Sequence, residues 1–234
     1  MEKLITVNLS YYNESKKDVL RHINFWKSYP PEILKLFTFF IVDDCSKVPI
    51  NELLLDEDLN GLDIHFYRIM EDLYFNIAGV RNLGAKQCKT PYFIILDMDT
   101  IINKLMATNL VKLALKYIKE PIAFKFNRKV IGNNKLKDNK IHPAICLVRT
   151  HDYWNIGGCE EDLVGHYGYT DPCFWERSKG KIKVVILKKC YLLYYPEAES
   201  DCIRDSSWNY NIFIEKCLKK NWSNKYLRFK WIKL

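Results

Sequence analysis

The stretch that decides the fold is FIILDMDTII, residues 93–102, in which an apolar run ends in two aspartates and a threonine. Side chains two residues apart in a β-strand point to the same face, so Asp97 and Asp99 emerge together at the end of this strand. Carboxylate oxygens are the ligands that Mg²⁺ and Mn²⁺ favour in proteins. The stretch therefore predicts a buried strand that delivers a metal site, and the rest of the chain decides its chemistry.

The composition is that of one globular domain. The chain has 234 residues, of which 48% are hydrophobic and 27% are charged, which is enough for one good-sized domain. No apolar run approaches the roughly 20 residues that a membrane span needs. The N-terminus leads directly into a strand-like segment with no signal-peptide core. We therefore expect a cytoplasmic protein.

The charge and the cysteines limit the classes of partner. A net charge of +8 suits a phosphate-bearing ligand, an anionic membrane surface or nucleic acid, and does not choose between them. The eight cysteines are scattered singly with no C-x-x-C pair, which argues against a zinc ribbon or a redox motif. In a cytoplasmic protein they are expected to be reduced and mostly buried.

Strand-like and helical segments alternate along the chain. The strand-like segments are residues 4–10, 36–44, 63–70, 92–96, 122–127 and 144–149. The segments with helical spacing of apolar residues are 14–28, 76–89 and 110–118. This alternation predicts an α/β fold with a mostly parallel central sheet and helices on both faces. We assign residues 1–200 to this domain and residues 201–234 to a short C-terminal helical appendage packed on it.

Three polar clusters follow predicted strands of this sheet. They are SYYNE at 10–14, DDCS at 43–46 and DMD at 97–99. The carboxyl ends of parallel strands meet at one edge of a sheet, and ligands bind there in such folds. The three clusters are therefore expected to converge on a single site.

The D-x-D-x-T motif is also typical of haloacid dehalogenase phosphatases, in which the first aspartate is a nucleophile. That family has the motif on its opening strand, whereas about 90 residues precede it here. It also needs a later lysine and an acidic pair, usually in a Gly-Asp-Gly context, and no such context follows residue 100. A short motif without its partners is only a hypothesis, so a magnesium-dependent phosphatase is kept as an alternative.

Four blocks in a fixed order resemble the family 2 glycosyltransferases of the GT-A fold. They are TVNLSYYNE (6–14), FIVDDCS (40–46), NIAGVRNLGAKQCKTPYFIILDMD (76–99) and GGCEEDLVGHYGYTDPCFWERSKG (157–180). The resemblance covers roughly residues 4–190, and the last block is similar to that of galactosyltransferase and chondroitin-synthase-type domains. It implies a Rossmann-like GT-A domain that moves a sugar from a nucleotide-sugar, with UDP the expected nucleotide, to a hydroxyl of a glycan, glycolipid or glycoprotein.

On the donor side, the resemblance implies that Asp99, helped by Asp97, holds a divalent metal ion, Mn²⁺ or Mg²⁺. A hard cation there would neutralise the charge that develops on the diphosphate leaving group. The resemblance also places Asp43 and Asp44 at the base and ribose, and Arg81 at the base or the diphosphate. The residues expected to bind the nucleotide-sugar are Asn8, Ser10, Tyr11, Asn13, Asp43, Asp44, Arg81, Asp97, Met98 and Asp99.

On the acceptor side, the resemblance implies that Asp171 is the general base, which takes the proton of the attacking hydroxyl. Such a displacement inverts the configuration at the anomeric carbon. Family members usually have Glu-Asp here, whereas this chain has Thr170 and Asp171. Asp171 also opens the helical segment DPCFWERSK, so an N-cap is the alternative role. The residues expected to contact the acceptor are Gly158, Glu161, Asp162 and His166.

One feature departs from the family pattern. Many members have a histidine after the last core strand as a further metal ligand, whereas the corresponding region YLLYYPEAESDC, residues 191–202, has none. Glu197, Glu199 or Asp201 could take its place, or water could, or the metal could be held by one side chain and the diphosphate.

The C-terminal segment KCLKKNWSNKYLRFKWIKL, residues 216–234, mixes basic and aromatic side chains. Such a segment could make a peripheral contact with an anionic membrane that carries a lipid-linked acceptor. It could also bind nucleic acid by charge and stacking, which would make the protein a non-enzymatic basic binding module. We favour a terminal helix that packs its aromatic residues on the domain, and we expect no nucleic acid partner.

Overall fold

The computed structural model describes residues 2–132, 140–196 and 204–234, and in these residues a nine-stranded sheet forms the centre. The strands are β1 (Ile5–Tyr11), β2 (Phe37–Asp43), β3 (Ile64–Ile69), β4 (Tyr92–Leu96), β5 (Thr100–Ile101), β6 (Ile122–Val130), β7 (Ile141–Arg149), β8 (Lys183–Tyr194) and β9 (Trp231–Lys233). The helices are α1 (Lys16–Lys27), α2 (Pro31–Leu34), α3 (Ile50–Leu53), α4 (Ile77–Gln87), α5 (Lys104–Lys116), α6 (Thr150–Ile156), α7 (Thr170–Ser178) and α8 (Ser207–Lys219).

The sheet has a parallel half and a mixed half. Strand β1 lies between β4 and β2, β3 pairs with β2, and these three pairings are all parallel. Beyond β4 the order continues β7, β6, β8, β5, where only the β6–β8 pairing is parallel. The predicted parallel sheet is thus confirmed for the strands that carry the three polar clusters.

Helices cover both faces of the sheet, as predicted. Every residue of β1, β2 and β4 is buried, which explains why these strands are continuous apolar runs. Alternate residues of β4 enter different clusters, so that Ile94 packs with residues of α1 and α5, while Phe93 packs with residues of α4, α6 and α7. Helix α1 begins after the N-cap Ser15 and packs Trp26 on Phe39 with ring centroids 4.4 Å apart.

The C-terminal segment packs on the domain, but only its first part is helical. Helix α8 ends at Lys219, and β9 then pairs antiparallel with β3 at the edge of the sheet. Phe229 is buried in a cluster with Phe40 and Tyr67. The terminal strand was not predicted, and it covers an edge that would otherwise offer unpaired backbone groups. Within the described residues, no helix is long and apolar enough to cross a bilayer.

Candidate active site

A cavity of about 250 Å³ lies at the carboxyl ends of the central strands. Strand β1 contributes Ser10 to its wall, and the turn after β4 contributes Asp97, Met98 and Asp99. Another part of the wall is the segment 167–171, which ends in Asp171 at the start of α7. The structure thus brings the predicted metal ligands and the predicted base, more than 70 residues apart in sequence, to one cavity.

The turn after β4 presents the two aspartates side by side. The backbone N–H of Thr100 donates to the Asp97 carbonyl at 3.1 Å, and the Thr100 hydroxyl donates to Oδ1 of Asp99 at 2.8 Å. Burial and the neighbouring carboxylate of Asp97 raise the pKa of Asp99 to about 6. The two aspartates therefore concentrate negative charge at a buried site, where the charged form of a carboxyl group is destabilised.

Arg81 of α4 pairs with a carboxylate from each of two lining segments, the turn after β4 and the segment 167–171. Its guanidinium donates to Oδ1 of Asp171 at 2.6 Å and to Oδ1 of Asp97 at 3.1 Å. Burial alone would lower the pKa of Arg81, but the two carboxylates raise it well above its ordinary value. Arg81 was expected at the base or diphosphate, which stays a prediction, and in the structure it pairs with both aspartates.

Asp171 lies in the first turn of α7 and does not cap the helix. The N-cap is Tyr169, which has a left-handed φ of 60° and makes no side-chain capping hydrogen bond. The carboxylate of Asp171 faces Arg81 and the cavity instead. The N-cap alternative for Asp171 is therefore wrong.

The donor set suits a hard divalent cation. Asp97 and Asp99 both line the cavity and supply carboxylate oxygens. A cation there would offset the burial and the repulsion by Asp97 that together raise the pKa of Asp99. Among the described residues, no cluster of three His, Cys, Asp or Glu forms a complete metal site. The remaining ligands would then be water and the diphosphate, as is common for Mg²⁺. The candidates Glu197, Glu199 and Asp201 lie outside the described residues.

The two aspartates after β2 have different surroundings. Asp43 is fully buried and its carboxylate accepts hydrogen bonds from the backbone N–H groups of Ser46 and Ile50 and from Arg68. Oδ2 of Asp44 accepts from the Asn76 N–H at 3.0 Å, whereas its Oδ1 has no partner in the described part of the chain. Burial raises the pKa of Asp44 to about 7. Of the pair, Asp44 has an oxygen without a partner in the described residues, but neither Asp43 nor Asp44 lines the cavity, so the expected convergence of this cluster on it is wrong.

Three further residues of the predicted donor set make contacts within the protein. Asn8 is buried against Gly84, where an added Cβ would lie 1.9 Å from its Oδ1. The Tyr11 hydroxyl donates to the Val48 carbonyl at 3.3 Å, and Oδ1 of Asn13 accepts from the Lys47 N–H at 2.8 Å. These contacts shape the loops beside the cavity, and direct binding of a nucleotide by these residues stays a prediction.

The predicted acceptor residues do not line this cavity, as far as the described residues show. The buried carboxylate of Glu161 accepts from Nδ2 of Asn82 at 2.8 Å and from the Leu227 N–H at 2.9 Å. Asp162 pairs with Lys216 at 2.6 Å. These two acids anchor the C-terminal segment, a role that the sequence did not indicate, and their contact with an acceptor stays a prediction.

The other two acceptor candidates lie in the same block. Gly158 has a φ of 62° and sits where an added Cβ would lie 2.7 Å from Oδ1 of Asn82, so a side chain there would clash. His166 stacks on Trp208 with ring centroids 4.9 Å apart. Their contact with an acceptor also stays a prediction.

Sequence reasoning missed several residues of the cavity wall. They are Glu14, Phe75, Ile77, Tyr167, Gly168, Tyr169, Thr170 and Arg204. The rings of Phe75 and Tyr167 lie 5.2 Å apart and form an aromatic wall near Asp171. The block that carries Asp171 pointed to this segment, but no pattern in it indicated which side chains face the cavity.

Comparison with known proteins defines the class. The fold is that of a GT-A glycosyltransferase. The family model "Glycosyl transferase family 2" matches residues 6–158, which is more than half of the chain. The chain therefore belongs to glycosyl transferase family 2, as the resemblance predicted. No curated protein sequence matches it.

Solved structures share the fold at low sequence identity. Staphylococcus aureus TarS 1–349 superposes with a TM-score of 0.67 at 14% identity, over 95% of this chain and 67% of that one. The same fragment in complex with UDP-GlcNAc gives 0.66 at 13% identity, over 94% and 68%. GalNAc-T7 with UDP, GalNAc and Mn²⁺ gives 0.69 at 15% identity, over 91% and 48%. This chain thus spans less than half of the GalNAc-T7 chain. At these identities the likeness establishes the fold.

Proposed function

We propose that this protein transfers a sugar from a nucleotide-sugar, with UDP as the nucleotide, to a hydroxyl acceptor, with a divalent metal ion and inversion of configuration. The observation that carries the proposal is the convergence of Asp97, Asp99 and Asp171 on one cavity, joined by Arg81. The complexes of TarS 1–349 with UDP-GlcNAc and of GalNAc-T7 with UDP and Mn²⁺ support the choice of donor and metal.

The donor side would be built from the strand ends. Asp99 and Asp97 would hold the divalent cation, which would supply neutralisation of the charge on the leaving diphosphate. Oδ1 of Asp44, buried and without a partner among the described residues, is suited to accept an N–H of a uracil ring. Ser10 lines the cavity and its buried hydroxyl likewise has no partner in that part of the chain. These unsatisfied groups are the ones that a bound nucleotide would satisfy.

The acceptor side would depend on Asp171. Its carboxylate takes the proton of the acceptor hydroxyl while that oxygen forms a bond to the anomeric carbon and the bond to the diphosphate breaks. Arg81 holds Asp171 through a charge-assisted hydrogen bond of 2.6 Å. Because Arg81 also binds Asp97, it fixes the distance between the base and the donor. A single displacement of this kind gives inversion.

The two alternative functions have less support. The residues that match the glycosyltransferase family model include the DMDT motif. Oδ1 of Asp97 is paired with Arg81 rather than free to attack a phosphate. Part of the basic C-terminal segment is used inside the protein, since Lys216 is buried between Glu160 and Asp162. Neither the phosphatase nor the basic binding module accounts for these contacts.

The test is release of UDP from UDP-sugars by the purified protein, with water as the acceptor. We expect Mn²⁺-dependent release from at least one sugar, with UDP-GlcNAc and UDP-GalNAc tried first, and no release in EDTA. Proton NMR early in the reaction should show the free sugar as the anomer opposite to that of the donor. Retention of the anomer would contradict the role of Asp171 as base, and metal-dependent hydrolysis of simple phosphomonoesters instead would favour the phosphatase.

A further inference from the structure

Two buried histidines lie against the turn that carries the aspartates. His22 of α1 is fully buried, and its Nε2 donates to the Met98 carbonyl at 2.9 Å. His142 is 3% exposed and contacts Thr100. It lies on β7, the strand that pairs with β4. Burial lowers the pKa of each to about 4, so both rings are neutral near pH 7. The proposed function gives neither of them a role.

The contacts of His142 fix its tautomer. Its Nδ1 accepts from the backbone N–H of Ala144 at 3.3 Å and of Ile145 at 3.1 Å. A neutral imidazole has one acceptor and one donor nitrogen, so the proton of His142 is on Nε2. Nε2 lies 3.3 Å from the Thr100 hydroxyl and donates to it.

The Thr100 hydroxyl passes this orientation on to the carboxylate. It accepts from His142 and donates its own hydrogen to Oδ1 of Asp99 at 2.8 Å. The backbone is held as well, since the Tyr195 N–H donates to the Asp99 carbonyl at 2.7 Å. The hydrogen bonds run in one direction, from His142 through Thr100 to Asp99. With Oδ1 occupied and the backbone fixed, the carboxylate has one orientation.

We propose that Thr100 and His142 are positioning residues that orient Asp99 towards the divalent cation and so set the metal affinity of the donor site. The inference rests on the proposed metal-dependent function. Groups that hydrogen-bond a ligating side chain typically change metal affinity or activity by about 10- to 100-fold when they are removed. His22 holds the same turn through Met98 and supports the same geometry.

The test is Mn²⁺ binding to the whole chain with saturating UDP, followed through the electron paramagnetic resonance signal of free Mn²⁺. Thr100→Val removes the hydroxyl at nearly constant shape, and we expect its Kd for Mn²⁺ to rise about 10-fold or more. Thr100→Ser keeps the hydroxyl and should bind Mn²⁺ like the wild type. UDP affinity in EDTA should be equal in all three proteins. A variant that had lost its structure would instead bind UDP more weakly.

A second variant keeps the test decisive if Thr100→Val does not fold. His142→Asn can still accept from the N–H groups of Ala144 and Ile145 but is too short to reach Thr100, so it should also weaken Mn²⁺ binding. Thermal melts identify variants that are folded at the assay temperature. Equal Mn²⁺ affinity in the wild type and in a folded Thr100→Val would overturn the inference and leave the proposed function standing. Absence of Mn²⁺ binding by the wild type with UDP would instead refute the proposed function.

Discussion

Asp171→Asn is expected to reduce sugar transfer by about 10²- to 10⁴-fold in kcat, the usual contribution of a general base. The asparagine can still face Arg81, which binds this carboxylate at 2.6 Å, but it cannot take the proton of the acceptor. Donor binding does not need that proton transfer, so the affinity for UDP with Mn²⁺ should stay close to that of the wild type. UDP release and calorimetric titration of UDP measure the two quantities.

Glu176→Gln is the matched control for Asp171→Asn. Glu176 lies on the same helix, α7, but pairs with the exposed Lys179 and Lys220 and does not line the cavity. Its kcat should equal that of the wild type. A kcat for Asp171→Asn within about threefold of the wild type would mean that another group, or water, accepts the proton.

Asp99→Ala is expected to lose both metal-dependent donor binding and transfer. Asp99 lines the cavity beside Asp97 and its Oδ1 is oriented by Thr100, so this change removes one of the two proposed metal ligands. We expect the gain in UDP affinity on adding Mn²⁺ to disappear, while the affinity in EDTA is unchanged. Calorimetric titration of UDP with Mn²⁺ and with EDTA measures this directly.

Asp58→Ala is the control for Asp99→Ala. It removes a largely exposed carboxylate that pairs with Lys27, and such surface pairs contribute little to stability. It should bind Mn²⁺ and UDP normally. Full transfer activity in purified Asp99→Ala would refute the metal role of this residue.

The strands could be predicted, and so could the meeting of the SYYNE and DMD clusters at one cavity, because both depend on local pattern. The third cluster, DDCS at 43–46, was expected there as well but does not line this cavity. Strands buried on both faces are continuous apolar runs, and the parallel half of the sheet brings their carboxyl ends to one edge. Asp97 and Asp99 were located in this way. Asp171 was predicted through the resemblance, and the structure places it in the lining of the same cavity.

The fine assignment within the clusters could not be predicted. Asp43 and Asp44 are adjacent and chemically identical, and what separates them is the register of β3. That register places Arg68 opposite Asp43 and so neutralises it. Asp44 instead meets the N–H of Asn76, at the N-cap of α4. Both partners are distant in sequence, and periodicity carries no information about such contacts.

The acidic run at 160–162 shows the same limit. The resemblance implied that Glu161 and Asp162 contact the acceptor, and nothing in the sequence indicated that a buried lysine 54 positions later makes Asp162 an anchor for α8. The three-residue strand β9 is too short for a periodic pattern. Only its pairing with β3 in the structure identifies it as a strand. Long-range pairing of this kind decided the contacts of the C-terminal segment.

The central claim, a metal-dependent nucleotide-sugar site at Asp97 and Asp99, is tested most directly by thermal melting with a panel of nucleotides and nucleotide-sugars. The panel holds UDP, GDP, dTDP and their sugars, each with Mn²⁺ and with EDTA. A ligand at 100 times its Kd stabilises by about 2.7 kcal/mol, which corresponds to a rise in Tm of roughly 5–10 °C for a chain of this size. We predict this rise for UDP or a UDP-sugar with Mn²⁺, and a much smaller one in EDTA. An unchanged Tm with every nucleotide and Mn²⁺, or an equal rise in EDTA, would contradict the claim.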